Sequence, residues 1–442
     1  MHAAGSRVDL VLPAGDALDH ALAVAGVRLG PGDRVFGPGG VTVEPGTSAA
    51  ELLEGGLYSV ASARAAMELD RRGAAAGAGF RLLPWGLVAT ALSAAAIALA
   101  SESSALRWSA AAIIGVVALV SALMTALRAD EEADALEFFP GMVLGAIAGV
   151  LSAPRGAAGM DGATWDAMFA CALGFAGVAL VAALLSALGR ARSVRAGAAT
   201  AAVIASVAAL LAAACPLIGW GLREFFIVAA AASVLMIRAL PALLVNVDES
   251  YSIDYGRFMA LRWTVRGRVP RFIERVDSEE VRSMVAVTEA RLRTATVLFA
   301  VLAVPGVTLA VLPLTTGNLI ERIGAGVFLC FAVAALMLVS RRMVAPMLKR
   351  PQRLAALGGA LGATALLAGA PEAPAPWLLP AAGVVLFVGV VVGAGSVALQ
   401  RGARSLGWSR VGDIVEAIAV AMVLPAGLLA AGAIDVLRGV LS

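Results

Sequence analysis

From residue 82 onward the chain alternates long apolar stretches with short arginine-bearing islands, and no such stretch occurs before that point. A bilayer core of about 30 Å takes roughly 20 apolar residues per helix. On that measure the pattern predicts eleven spans, over 83–101, 108–127, 136–153, 164–188, 197–215, 224–245, 294–314, 323–339, 353–370, 377–399 and 413–437. The third and eighth are short, and a ten-helix reading requires merging or dropping one of them. The expected fold class is an all-α polytopic membrane protein with about eleven transmembrane helices, preceded by a small α+β domain.

The first 60 residues follow a different period. Arg7–Leu12 reads as a strand stopped by Pro13, and Asp16 is placed to cap a short helix with Leu18, Leu22 and Val24 at helical spacing. The Gly30-Pro31-Gly32 turn follows, then Arg34–Phe36, a second glycine-rich turn, and a strand at Val41–Val43. Thr47 or Ser48 with Glu51 forms a capping box for one helical turn, and Leu57–Val60 reads as a last strand. This order resembles a β-grasp, or ubiquitin-like, domain over 1–60 whose first strand should precede residue 7, so that the start is late or the domain trimmed. Residues 61–82 read as a linker helix, leaving 83–442 as the transmembrane domain with a long loop at 246–293.

Orientation follows from where the cationic side chains fall. Loops after the even-numbered spans hold 21 Arg and Lys, nine of them in 246–293, against five (Arg107, Arg155, Arg223, Arg322, Arg438) on the other side. The expected location is therefore the cytoplasmic membrane, with the N-terminal domain and the even loops cytoplasmic and the C-terminus outside. An odd number of spans agrees with this balance.

Composition narrows the function. Hydrophobic residues are 60% and charged residues 15% of 442 positions, and mean hydropathy is +0.89, which no soluble domain tolerates. The net charge of +3 is small, and the Arg excess over one Lys (Lys349), with the high Ala and Gly content, reads as coding bias rather than nucleic-acid binding. Three cysteines lie far apart and both histidines (His2, His20) precede the spans, so neither a metal site nor any other cofactor is expected. No cleavable signal peptide is legible in the first 80 residues. An intramembrane enzyme needs Ser/His, paired Asp or HExxH inside spans, and none is there, so the chain reads as no enzyme. The alternative is a secondary transporter. It is weakened because Glu224, Arg238, Asp413, Glu416 and Asp435 all fall near span ends, with no internal repeat evident.

Three features carry candidate roles. The small-residue pairs Gly145/Gly149 and Gly389/Gly393 permit close helix approach, either within the chain or at a dimer face. The 246–293 segment interleaves nine Arg and eight acidic residues with Tyr251, Tyr255, Phe258, Trp263 and Phe272. Arg257, Arg262, Trp263, Arg266, Arg268 and Arg271 are its candidate partner contacts. The segment reads as a partner-docking surface, an amphipathic helix on the inner leaflet, or a spacer, and 278–293 as a helix running into the seventh span. The last hairpin holds Trp408, Arg410, Asp413 and Glu416, followed by an apolar run broken at Pro425. Asp413 and Glu416, one turn apart, complement the helix dipole, and Arg410 can pair with them locally.

A ubiquitin-like N-terminal domain, eleven spans, a charged loop after the sixth, Arg341-Arg342 leading into the ninth, and a closing W-x-R-x-x-D-x-x-E…P helix (Trp408, Arg410, Asp413, Glu416, Pro425) together resemble the EccD family, integral membrane proteins of type VII secretion systems. The loop after the sixth span lacks the proline-rich stretch of many members, which marks a divergent member. The resemblance implies a structural role: a homodimer enclosing a lipid-accessible cavity, beside other secretion-system membrane subunits and an FtsK/SpoIIIE-type ATPase that the cytoplasmic parts brace. Energy would come from that ATPase, since no GxxxxGK[ST] phosphate loop occurs in this chain.

Overall fold

A computed structural model describes residues 17–24, 33–36, 42–44, 46–48, 51, 59–62, 78–101, 103–127, 138–154, 156, 162–244, 278–343, 345–369 and 406–441. The chain divides into two compact units, Met1–Gly86 and Leu87–Ser442.

In the first unit, helix α1 (Leu18–Val24) precedes three strands, β1 (Asp33–Phe36), β2 (Thr42–Val43) and β3 (Ser59–Ser62). β1 is central and pairs antiparallel with both neighbours, Val35 opposite Val43 on one side and Val60 on the other. Leu18 and Leu22, one turn apart, are buried, as is Val35. Where the capping box is expected, the backbone N–H of Glu51 donates to the Ser48 carbonyl at 2.9 Å. The strand expected at Arg7–Leu12 lies outside the described residues.

The second unit is helical. Among the described residues its helices are α2 (Ala78–Ala100, from Leu87 onward), α3 (Ser104–Leu127), α4 (Phe139–Leu151), α5 (Gly162–Leu188), α6 (Arg192–Ala214), α7 (Leu222–Leu244), α8 (Ser278–Leu309), α9 (Leu312–Thr316), α10 (Leu319–Val339), α11 (Pro346–Gly369), α12 (Leu406–Ala430) and α13 (Ala433–Leu441). Seven of the described helices are long and apolar enough to cross a membrane, and Trp85–Ala100 and Phe139–Leu151 are shorter apolar helices. α11 opens on Lys349, Arg350 and Arg353, and the span expected at 377–399 lies outside the described residues. The helix expected at 278–293 continues without a break into the apolar part of α8.

Packing places small residues inside and large ones outside. On α3 the buried face is Ala111, Ile114, Ala118, Ala122 and Ala126, while Ile113, Val116, Val120 and Met124 face out. α6 repeats this with Ala198, Ala201, Ala205, Ala208 and Ala212 against exposed Val203, Val207 and Leu210. In lipid no hydrophobic force separates inside from outside, so close van der Waals packing of small side chains holds helices together. The alanine content therefore has a structural use that coding bias alone does not supply.

Gly145 and Gly149 illustrate this. Gly149 lies against the Leu173 carbonyl of α5, and Gly177 of α5 lies against the Gly145 carbonyl. The pair serves packing within the chain. Gly389/Gly393 lie outside the described residues.

Three apolar clusters result. One gathers α2 to α6, a second α7, α8, α10, α11 and α12, and a smaller third joins Met168, Ala172, Ala212, Cys215 and Phe225. α8 bridges the first two, packing on both α6 and α7.

One helix differs from expectation: the span expected over 413–437 divides into α12, which runs through Pro425 to Ala430, and α13. The stop is Gly432, at φ 68°, a left-handed conformation open to glycine.

Candidate functional site: a charge clamp at one end of the helices

Helix directions place the cluster. Thr294 of α8 lies near Gly197 of α6, and Gly306 of α8 near Phe226 of α7. The starts of α6 and α8 therefore lie at the same end as the finish of α7. The backbone N–H of Arg190 donates to the Ala126 carbonyl at 3.2 Å, which brings the finish of α3 to that end too.

At this end Glu416 stands on α12, only 2% exposed. Its two carboxylate oxygens take different partners. Arg238 Nε of α7 is 3.3 Å from Oε1, and Arg342 Nε donates to Oε2 at 3.0 Å. Arg342 also approaches Asp413, one turn earlier on α12, at 3.6 Å. Arg342 belongs to a short 3-10 turn, Ser340–Arg342, that closes α10. Within that turn the Ser340 hydroxyl donates to the Met337 carbonyl at 2.7 Å and accepts from Arg353 Nε of α11 at 3.1 Å. The Arg341 guanidinium lies directly against Gly412, where a side chain on α12 would meet it. Ion pairs thus tie α7, α10 and α12 together, and α11 joins them through the Arg353–Ser340 hydrogen bond.

The energetics rest on Glu416. A carboxylate removed from water carries a penalty of several kcal/mol that only close partners offset. Two guanidiniums supply that offset while staying nearly half exposed, at 46% and 45% of their side chains. Asp413 is 53% exposed, and its pair with Arg342 contributes at most about 1 kcal/mol. The cluster's effect is to fix where these helices end.

The sequence-predicted residues separate into two groups. Asp413 and Glu416 are brought together, but their partners are on α10 and α7 rather than the local Arg410, which is exposed. Local dipole capping therefore does not describe Glu416, which sits well inside α12. Trp408 stands in the first turns of α12, and Pro425 in its last turns. Arg257, Arg262, Trp263, Arg266, Arg268 and Arg271 lie outside the described residues. Sequence reasoning missed Arg238 and Arg353 as members. The available signal for Arg238 was a lone cation one turn inside an apolar stretch.

The far end has a smaller polar junction. Asn318 caps α10 by accepting from Glu321 N–H at 2.9 Å and donates through Nδ2 to Asp435 of α13 at 3.0 Å.

No family model matches this chain, and no curated protein matches it. Solved structures do. Protomer 1 of the ESX-3 core complex aligns with a TM-score of 0.53 at 17% identity, covering 98% of this chain and 98% of that one. A chain of the ESX-5 inner membrane complex, State II, aligns with a TM-score of 0.51 at 17% identity, covering 90% of this chain and 98% of that one. At these identities the likeness is one of fold, and it runs essentially end to end.

Proposed function

We propose that this chain is a divergent EccD-like structural component of a type VII secretion machine in the cytoplasmic membrane. The observation that carries the reading is the end-to-end fold likeness to chains of ESX inner membrane complexes. In this reading the chain has eleven spans, its N-terminal domain is ubiquitin-like and cytoplasmic, and its C-terminus is outside. It pairs as a homodimer and works beside other membrane subunits and an FtsK/SpoIIIE-type ATPase.

The clamp fits such a role. The segment 245–277 leaves from the end of α7 and returns at the start of α8, and Arg238, near the exit, is held by Glu416. A segment that braces a moving ATPase needs a fixed base, and the clamp supplies one. Contact falls to Arg257, Arg262, Trp263, Arg266, Arg268 and Arg271.

Reversing Arg257, Arg262, Arg266 and Arg268 to Glu is expected to abolish copurification of the ATPase while insertion and dimerisation persist. Each charge-assisted contact is worth roughly 1.5–3 kcal/mol, so four lost together exceed what one interface tolerates. Recovery of the ATPase at wild-type yield by the quadruple variant removes the docking role. Release of the segment from anionic vesicles by the same substitutions, with no partner present, assigns it to the lipid surface instead.

Topology gives an independent check. Tags near Arg192 and Lys349 are expected to report a cytoplasmic location, and a tag after Ser442 an external one. Any tag on the opposite side overturns the eleven-span arrangement.

A further inference from the structure

At the end of the bundle away from Glu416, a cavity of about 190 Å³ lies among α2, α3, α4 and α5. Leu99, Val150, Ala167 and Ala170 give it apolar walls, and Arg107 and Asp166 line its polar part. Arg107 is 5% exposed and stands in the first turn of α3. A terminal nitrogen of its guanidinium donates to the Ala153 carbonyl at 3.0 Å, just past the end of α4. Its Nε is buried without a hydrogen-bond partner. Asp166 accepts the Gly156 N–H at 2.7 Å.

A guanidinium does not discharge on burial. Here it is also at the positive end of the α3 dipole, the wrong end for a cation. The single carbonyl leaves Nε without an acceptor, and the Asp166 carboxylate is engaged by the Gly156 N–H, so the cavity favours a singly charged anion over water. The space is far above the ~10–15 Å³ that one water requires. A carboxylate on the same wall disfavours a dianion such as free phosphate. Ile97 of α2 and Ile113 of α3, each within two turns of the lining residues Leu99 and Arg107, are exposed apolar side chains. The group that meets all four conditions is a singly charged phosphodiester with acyl chains attached. We propose that this cavity holds the phosphodiester of a membrane phospholipid, bound through Arg107.

The test uses the full chain, delipidated in detergent, with thermal unfolding followed as phosphatidylglycerol, diacylglycerol of the same chains, or inorganic phosphate is added. Phosphatidylglycerol is expected to raise the unfolding temperature, and the other two to leave it unchanged. Arg107→Gln should weaken the phosphatidylglycerol response about tenfold or more in concentration. Ala170→Phe keeps the guanidinium and fills the space, and should weaken it likewise if Arg107→Gln fails to fold. No stabilisation by phosphatidylglycerol overturns the proposal. So does equal stabilisation by diacylglycerol or inorganic phosphate, or an unchanged response in Ala170→Phe.

Discussion

Arg342→Ala is expected to destabilise the helical unit by about 3–5 kcal/mol, because it strands a buried carboxylate. Glu416 is 2% exposed and would keep only Arg238, at 3.3 Å, as a partner. The sign of the coupling separates this account from loss of packing. Glu416→Ala in the Arg342→Ala background removes the stranded charge, so the double variant should be more stable than Arg342→Ala alone. Additive losses in a double-mutant cycle, read by unfolding in detergent, contradict it. Asp413→Ala should stay within about 1 kcal/mol of wild type, since that carboxylate is half exposed.

The second large effect comes from glycine at a helix crossing. A Cβ at Gly306 of α8 would overlap the Phe226 carbonyl of α7, and one at Gly149 would overlap the Leu173 carbonyl. Those obstacles are backbone, which cannot turn aside as a side chain does. Gly306→Ala is therefore expected to lose about 3 kcal/mol, the upper end for overpacking. Gly358→Ala is the matched control on α11. Nothing lies within 4 Å of its Cβ position, and the helix-propensity gain of up to about 1 kcal/mol should leave it neutral or stabilised. Equal losses at Gly306 and Gly358 would mean that the α7–α8 approach is not as close as described.

Much of the helical layout was legible because a bilayer demands long apolar runs, and such runs are hard to mistake. The continuous α8 was readable from Ser278 with Glu279-Glu280 in the first turn, followed by an apolar face. What faces what was less readable. In lipid the buried side of α3 is alanine and the outer side is isoleucine, valine and methionine, so hydrophobicity does not mark the interior. The Gly145/Gly149 pair signalled close approach without naming its partner, because spacing carries no information about which helix lies opposite.

The clamp was half visible. Asp413, Glu416 and the Arg341-Arg342 pair all stood out, but they are some 70 positions apart in the chain. Only the return of α12 beside α10 joins them. α12 runs through Pro425 because a proline removes only one backbone bond, and neighbouring helices can hold the helix together across it. In the first unit α1 and the central strand followed from local spacing. β3 (Ser59–Ser62) includes Ser59 and Val60 of the strand expected over 57–60, and residues 57 and 58 lie outside the described residues.

The central claim is membership in a secretion membrane complex, and native copurification tests it most directly. The full chain, extracted under mild detergent from the membranes of its own cell and identified together with its stoichiometric companions by mass spectrometry, is predicted to carry a second copy of itself and an FtsK/SpoIIIE-type ATPase. Recovery of a monomer with no ATPase, from membranes in which that ATPase is expressed, would contradict the account.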